Sequence, residues 1–257
     1  MSAAYLPDDR LKSRLAAGGA VGCHWLTLGA PVLAELAADA GAESIVIDMQ
    51  HGRWSREGME NAILGIGGRA PSLVRTADAL DFAIGSALDA GAHGVIVPMI
   101  NSTAECASVV AAAHYPPLGR RSGGGARPGA DFAAYRTAMA DHMLVAVMIE
   151  TVAGLEAAEA IAAVPRLDMV FVGPNDLSLA LGEAQGSPAF EAALARILAA
   201  GEAAGTPVGI YTGNVDQAAQ RVTQGFQFVV VASDVQLNRG VANSLWDRFR
   251  NRASQPP

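Results

Sequence analysis

Short apolar runs alternate along the chain with longer stretches in which apolar residues recur at helical spacing. Several of the short runs, such as residues 45–47 and 229–231, are apolar throughout. Parallel strands that are covered by helices on both faces have this composition. The eight runs predict strands at residues 20–28, 44–48, 72–75, 94–98, 143–150, 169–173, 207–211 and 228–233.

The stretches between these strands carry helix signals. Ser187 followed by Pro188, for example, is typical of a helix N-terminus. Eight strand–helix repeats predict a single α/β domain with the (β/α)8 TIM-barrel fold. A doubly wound open sheet is the alternative. We expect residues 1–12 to form an N-terminal extension, residues 252–257 to form a frayed tail, and residues 101–142 to hold a helix with an insertion.

Composition narrows the class of protein. The chain has 257 residues, a net charge of −7 and 51% hydrophobic residues. The acidic balance argues against nucleic-acid binding, because phosphates are neutralised by basic residues. No apolar run is long enough for a membrane span, and the first ten residues contain acids and a proline where a signal peptide needs a basic and then an apolar stretch, so neither feature is expected. Its two cysteines are too few for a disulfide framework. We therefore expect a soluble, cytoplasmic protein.

Polar residues collect where the predicted strands end. Catalytic groups of a TIM barrel lie at the carboxyl ends of its strands and in the loops that follow them. The candidate site residues at these ends are Asp48, Gln50, His51, Arg75, Glu150, Gly173, Pro174, Asn175, Asp176 and Thr212.

Two carboxylates in this set come from neighbouring strands. Glu150 ends strand 5 and Asp176 follows strand 6. Such a pair, with substrate and water oxygens, suits Mg²⁺ or Mn²⁺ better than Zn²⁺, which prefers nitrogen and sulfur. The alternative is that both carboxylates cap the helices that follow them.

His51 and Arg75 are the candidate catalytic side chains. His51 lies three residues after Asp48, and a carboxylate can orient an imidazole so that it acts as a general base. The alternative is a loop histidine without a partner. The guanidinium of Arg75 suits a carboxylate or a developing enolate oxygen. The alternative is a salt bridge to a carboxylate of the barrel.

A loop rich in glycine and arginine lies in the middle of the chain. It contains Arg121, Gly123, Gly124 and Arg127, and it lacks the ending of a phosphate-binding P-loop. We expect a mobile lid over a small anionic substrate, with a solvated turn as the alternative. The chain has no lysine after Lys12, which excludes a Schiff-base mechanism in the barrel.

Several segments together carry a family resemblance. They are Ile47-Asp48-Met49-Gln50-His51-Gly52, Val74-Arg75, Val97-Pro98-Met99, Tyr115-Pro116-Pro117-Leu118-Gly119-Arg120-Arg121, Ile149-Glu150-Thr151 and Gly173-Pro174-Asn175-Asp176-Leu177-Ser178. They resemble the HpcH/HpaI family of class II aldolases, which act on 4-hydroxy-2-oxo acids. The resemblance covers nearly the whole chain.

The resemblance implies roles for these residues. Glu150 and Asp176 would hold a divalent metal, with Mg²⁺ expected and Mn²⁺ or Co²⁺ as alternatives. The segment from Gly173 to Asp176 would bind the substrate carboxylate. Arg75 would bind the keto oxygen as it becomes an enolate, and His51, oriented by Asp48, would move the hydroxyl proton.

The resemblance also implies an assembly. Family members form trimers or dimers of trimers, so a homo-oligomer is expected here. The last helix often packs on a neighbour. Asp89 is a further catalytic candidate, because it matches a position that approaches the histidine of the neighbouring subunit.

One position departs from the family pattern. Gln50 stands where the family commonly has glutamate, which removes one carboxylate beside the site. Thr212 is small and polar, and it would leave room for a hydroxylated substrate.

These observations predict a metal-dependent aldolase. It would cleave 4-hydroxy-2-oxo acids reversibly into an aldehyde and pyruvate, or a close 2-oxo acid such as hydroxypyruvate. One alternative is a lyase of malyl or citramalyl thioesters on the same barrel. Another is a non-catalytic barrel that binds 2-oxo acids.

Overall fold

The strands form a closed parallel barrel in chain order, as shown by a computed structural model that describes residues 9–124 and 131–253. Strand β8 pairs with β1, so the alternative of an open sheet is wrong. Each of the eight predicted strands is present, and those that differ from the prediction are one or two residues shorter at an end. The strands are β1 (Val21–Leu26), β2 (Ser44–Asp48), β3 (Ser72–Arg75), β4 (Gly94–Val97), β5 (Leu144–Ile149), β6 (Met169–Val172), β7 (Val208–Ile210) and β8 (Phe228–Ser233).

Helices surround the barrel and occupy the connections between its strands. Residues 10–12, predicted as part of an extension, begin the first helix, and residues 252–253 of the predicted tail end the last one. The interval 101–142 holds two helices, α5 and α6. The helices are α1 (Arg10–Ala16), α2 (Pro31–Asp39), α3 (Arg56–Ile66), α4 (Asp81–Asp89), α5 (Thr103–Ala113), α6 (Phe132–His142), α7 (Val152–Glu156), α8 (Ala158–Ala162), α9 (Pro174–Leu181), α10 (Pro188–Ala204), α11 (Val215–Thr223) and α12 (Asp234–Ala253).

Local sequence explains where the helices begin and end. The hydroxyl of Ser187 accepts a hydrogen bond from the backbone N–H of Phe190 at 3.2 Å, and Pro188 occupies the first turn of α10. The same helix ends at Gly205, whose φ of 69° is left-handed. Glycine adopts this conformation without the penalty that a Cβ atom imposes.

Two apolar cores follow from the alternation of side chains along the strands. Inward-facing residues such as Trp25, Phe171 and Phe228 fill the barrel interior, and outward-facing residues pack against the helices. Leu11 and Leu15 of α1 join the interior core and close the barrel at the amino ends of its strands. The barrel is therefore a packed core rather than an open channel.

Helix α12 differs from the other helices in its packing. Its beginning contacts β1 and β8, but residues 237–253 are exposed along their whole length. Apolar side chains recur every four residues on this part of the helix, at Leu237, Val241, Leu245 and Phe249. Among residues 9–124 and 131–253, no helix has the length and apolar character needed to cross a membrane.

Candidate active site

A cavity of about 260 Å³ opens at the carboxyl ends of the strands, where the polar residues were predicted to collect. Eight of the predicted site residues line it: Asp48, His51, Arg75, Glu150, Gly173, Pro174, Asn175 and Asp176. They come from four strand ends that are distant in sequence, and the barrel brings them together.

Glu150 is the most unusual group in the cavity wall. It is 1% exposed, and its Oε1 accepts a hydrogen bond from the backbone N–H of Met99 at 2.7 Å. Its Oε2 is buried and has no hydrogen-bond partner in the described structure. Burial raises the pKa of Glu150, and the nearby negative charge of Asp176 raises it further. A buried carboxylate oxygen without a partner is costly unless a ligand satisfies it.

The surroundings of Oε2 fit a divalent cation. A Cβ atom at position 173 would lie 2.1 Å from Oε2, so Gly173 keeps the space beside this oxygen open. Asp176, in the first turn of α9, is half-buried on the same cavity. Oxygen ligands of this kind suit Mg²⁺ or Mn²⁺. The described residues contain no cluster of three or more histidine, cysteine or acidic side chains, so the protein would supply two ligands.

Two residues, Asp48 and Trp25, hold the guanidinium of Arg75 in place. Its Nε donates to Asp48 Oδ1 at 2.8 Å, and its Nη2 donates to Asp48 Oδ2. The guanidinium lies over the ring of Trp25, with its carbon 5.1 Å from the ring centroid. Trp25 in turn donates from Nε1 to the same carboxylate at 3.2 Å. This packing fixes one positive charge at the cavity wall before any ligand binds.

Asp48 plays a different part from the one predicted for it. Its Oδ1 accepts from the backbone N–H of His51 at 3.1 Å, and no hydrogen bond of the described structure joins Asp48 to the His51 imidazole. Burial raises the pKa of Asp48, but its hydrogen bonds with Arg75 outweigh burial and leave the pKa below its usual range. The carboxylate therefore orients Arg75, and His51 stands exposed at the cavity with its ring free of Asp48.

The start of α9 offers backbone donors to the cavity. Leu177 is the first residue of this helix whose N–H bonds back, to the carbonyl of Gly173 at 3.0 Å. The N–H groups of Asn175 and Asp176 precede it, and the first amides of a helix have no partner within the helix. The N–H groups of Asn175 and Asp176 are therefore suited to bind the carboxylate of a ligand. The side chain of Asn175 accepts from Gln185 Nε2 at 2.8 Å.

Two predicted substrate-binding residues do not line the cavity. The hydroxyl of Thr212 is buried and donates to the carbonyl of Val230, so it points along the barrel wall. Gln50 donates its backbone N–H to Asp48 Oδ1 at 3.1 Å, and its side-chain oxygen is buried without a partner. Tyr211, one residue before Thr212, lines the cavity instead.

Asp89 and Arg121 form a pair at the opposite end of the barrel. Helix α4 runs antiparallel to the strands, so Asp89 at its end lies near the start of β4. Arg121 Nη2 donates to Asp89 at 2.7 Å, and its guanidinium stacks on Tyr115. Arg121 is 5% exposed, so its assignment to a mobile lid over the cavity of its own chain is wrong.

The rest of the predicted lid gives no support for a cover on this cavity. Gly123 lies beside the ring of Phe132, at the start of α6, and the position of Gly124 is open to space. Arg127 lies outside the described residues.

The single lysine also lies at this opposite end. Lys12 Nζ pairs with Asp168 at 2.9 Å and donates to the carbonyl of Met143. Both contacts are at the amino ends of β5 and β6, across the barrel from the cavity. The structure thus agrees with the exclusion of a Schiff base.

Five lining residues are absent from the sequence prediction, and two of them carry a signal that would have found them. The five are Trp25, Thr27, Met148, Phe171 and Tyr211. Alternate residues of a strand face the same side. Counting back two positions from Glu150 and from Gly173 would have found Met148 and Phe171.

Comparisons with known proteins agree with one another. The profile of the family described as HpcH/HpaI aldolase/citrate lyase matches residues 22–239. A hydroxypyruvate/pyruvate aldolase of Pseudomonas aeruginosa is 35% identical over 98% of this chain and 96% of its own length. A 4-hydroxy-2-oxovalerate aldolase of Rhodococcus jostii is 34% identical over 95% of this chain and 96% of its own length.

A solved structure shows the same architecture. The crystal structure of a protein of this family from Burkholderia cenocepacia superposes with a TM-score of 0.86 and 32% identity. The match covers 95% of this chain and 100% of that chain.

Proposed function

This chain belongs to the HpcH/HpaI aldolase/citrate lyase family and is an aldolase, and on that premise we propose that it cleaves and forms 4-hydroxy-2-oxo acids with a divalent metal held by Glu150 and Asp176. The observation that carries the proposal is the buried Oε2 of Glu150, which has no partner and faces the space that Gly173 keeps open. Mg²⁺ is the metal we expect, with Mn²⁺ or Co²⁺ as alternatives. When bound, it would supply a Lewis acid that polarises the 2-oxo acid.

The side chains of this chain would perform the remaining steps. Arg75, fixed by Asp48, donates to the keto oxygen and stabilises the negative charge that develops there as the carbon–carbon bond breaks. The free amides of Asn175 and Asp176 hold the substrate carboxylate. Trp25 and Phe171 exclude water from the floor of the cavity.

His51 is the general base of this proposal. It lines the cavity and is exposed, so its ring can reach a substrate hydroxyl. In the cleavage direction it takes the proton of the hydroxyl whose carbon becomes the aldehyde, and it returns that proton in the direction of addition.

We propose pyruvate and hydroxypyruvate as the 2-oxo acid substrates. The support is that the relatives are named hydroxypyruvate/pyruvate aldolases and 4-hydroxy-2-oxovalerate aldolases, and that they match most of the chain. These names do not favour the thioester lyase or the non-catalytic binder as alternatives.

We further propose a homo-oligomer, a trimer or a hexamer. The apolar stripe of α12 is exposed in the single chain, and a groove of about 330 Å³ lies uncovered between α2 and β8. The side chain of Val231 on β8 is 38% exposed there. A second copy would cover these surfaces, and the pair of Asp89 with Arg121 would then face the cavity of a neighbour rather than its own.

The experiment that tests the metal is chelation followed by restoration. Cleavage of 4-hydroxy-2-oxo acids is measured after EDTA treatment and again with Mg²⁺, Mn²⁺ or Co²⁺ added. We expect the activity to disappear with EDTA, to return with metal, and not to return in Glu150→Ala. Activity that survives chelation would overturn the metal-dependent mechanism.

A separate experiment tests the base. His51→Ala should lose about 10²–10⁴-fold in cleavage rate, the range typical of general-base catalysis. Its metal affinity should equal that of the wild type, because His51 is not a proposed ligand. Near-full activity in this variant would remove His51 from the mechanism.

A further inference from the structure

Asn101 joins the loop after β4 to the loop after β5. Its Nδ2 donates to the carbonyl of Met99 at 2.8 Å, and its Oδ1 accepts from the hydroxyl of Thr151. Thr151 directly follows Glu150 in the chain, and Met99 supplies the N–H that bonds Glu150. Asn101 itself is not part of the cavity wall. Its side chain therefore connects the two segments that surround the buried carboxylate.

Met99 has a backbone conformation that its side chain disfavours. Its φ is 62°, in the left-handed region, and of the residues described only Arg166 shares this feature among non-glycines. Such a conformation is unfavourable for a residue with a side chain and persists only where its surroundings hold it. The next residue, Ile100, returns to the barrel and donates to the carbonyl of Met148 at 3.1 Å. The unfavourable conformation is confined to Met99, and the side-chain amide of Asn101 holds the carbonyl of that residue.

The conformation of Met99 determines which oxygen of Glu150 is free. The N–H of Met99 bonds Oε1 of Glu150, and the φ of 62° sets the direction of this N–H relative to the carbonyl that Asn101 holds. No other hydrogen bond to this carboxylate is present in the described structure. One oxygen is therefore fixed, and the carboxylate presents the other to the cavity beside Gly173.

We propose that Asn101 is a positioning residue for the metal site, acting through the backbone of Met99 on the carboxylate of Glu150. The inference rests on the metal site proposed above. Without the side-chain amide of Asn101, Met99 relaxes toward negative φ and its N–H turns away from Oε1. Glu150 is then free to rotate, and Oε2 loses its fixed direction. The groups that orient metal ligands in this way commonly change metal affinity by about 10–100-fold.

The test is the binding of Mn²⁺ alone, measured as free Mn²⁺ by electron paramagnetic resonance in the absence of substrate. Asn101→Ala should raise the Mn²⁺ dissociation constant by about tenfold or more. Ser102→Ala is the matched control in the same loop, because Ser102 caps α5 through a bond from the N–H of Glu105. It should lower the unfolding temperature and leave the dissociation constant unchanged.

A second variant separates positioning from loop damage. Met99→Gly adopts positive φ without a Cβ penalty and keeps the N–H that bonds Glu150. It should bind Mn²⁺ within about threefold of the wild type, since the donor is retained. Asn101→Ala should then weaken Mn²⁺ binding much less in the Met99→Gly background than in the wild type, because glycine keeps a positive φ without the hydrogen bond from Asn101.

The outcomes are distinct. If the wild type binds no Mn²⁺, both the metal site and this inference fail. If the wild type binds Mn²⁺ and Asn101→Ala binds it equally well, the inference alone fails. If Asn101→Ala weakens binding equally in both backgrounds, it acts through general damage to the loop, and the role assigned through Met99 is wrong.

Discussion

A half-buried carboxylate, Asp168, and a buried one, Glu150, lie at opposite ends of β5 and have different surroundings. Asp168 lies at the amino end and uses both oxygens, one with Lys12 Nζ at 2.9 Å and one with the N–H of Val145 at 2.8 Å. Glu150 lies at the carboxyl end and uses one oxygen, leaving the other without a partner beside a cavity. Burial raises the pKa of both. A raised pKa therefore does not distinguish a site from a structural pair, whereas the unused oxygen does.

The largest contrast should come from neutralising each carboxylate. Glu150→Gln should lower the cleavage rate by at least about 10³-fold, because the metal site loses a ligand charge. Its free energy of unfolding should not fall, because a buried charge with an unpaired oxygen is removed. Asp168→Asn should do the reverse, with a lower free energy of unfolding and an unchanged rate. Cleavage assays and urea unfolding measure the two quantities, and equal losses of activity would abolish the contrast.

Arg75 lies at the carboxyl end of the barrel, and Lys12 lies at its amino end, which we call the closed end because α1 covers it. These two cations can each be exchanged for the other basic residue. Arg75→Lys keeps the positive charge but loses the paired donors that hold Asp48 and reach the substrate. We expect kcat to fall by about 10²–10³-fold, as for the loss of a donor to a developing oxyanion. Lys12→Arg, the matched exchange at the closed end, should leave kcat unchanged. Steady-state kinetics of both variants measure kcat. A decrease of less than about tenfold in Arg75→Lys would contradict the role of Arg75.

Removing the cation at the closed end should affect stability alone. Lys12→Met leaves the half-buried Asp168 without its ion pair, and we expect a loss of about 2 kcal/mol in the free energy of unfolding. The double variant Lys12→Met/Asp168→Asn should recover part of this loss, because no unpaired charge remains. Urea unfolding of the single and double variants measures it. A loss of kcat per folded molecule would show that this end contributes to the chemistry.

The smallest effect concerns the pH dependence of the closed end. His114 is 3% exposed, and its burial there lowers its pKa to about 4. The unfolded chain then binds the proton more readily than the folded one, so stability falls as the pH drops below about 6.5. By pH 5 the loss from His114 should reach about 2 kcal/mol. The gap in stability between the wild type and His114→Gln, measured by urea unfolding, should shrink from pH 7 to pH 5, and a constant gap would contradict the low pKa.

Sequence patterns predicted the barrel and most of the cavity because both depend on strand ends. Glu150 directly follows the apolar run of β5, and Asp176 lies in the loop and helix start just after β6, so their position did not require knowledge of packing. The pairing of Asp48 with Arg75, in contrast, could not be predicted without knowledge of packing. In the barrel, Asp48 stands opposite Arg75 in the pairing of β2 with β3. This register is a property of the closed sheet, and spacing along one strand does not reveal it.

The errors at Thr212 and Arg121 likewise arise because their positions depend on the folded barrel. Thr212 and Tyr211 differ by one position, and a shift of one residue moves a side chain to the other face of a strand. Arg121 was assigned to a lid because glycine and arginine are common in mobile loops. The chain after α5 instead turns at the amino end of the barrel, where the backbone of Arg121 bonds the carbonyl of His114 at 2.9 Å. Composition could not reveal which end of the barrel the loop occupies.

Gly173 bears on how this sequence can diverge over generations. A single methyl group at this position would lie 2.1 Å from Oε2 of Glu150 and would displace the oxygen that we assign to the cation. One base change in a glycine codon is enough to introduce alanine. A descendant with that change would keep the barrel, the ion pairs of its closed end and the arginine of its cavity. It would be a folded protein whose ancestral chemistry had been lost in one step, free to be selected for binding alone.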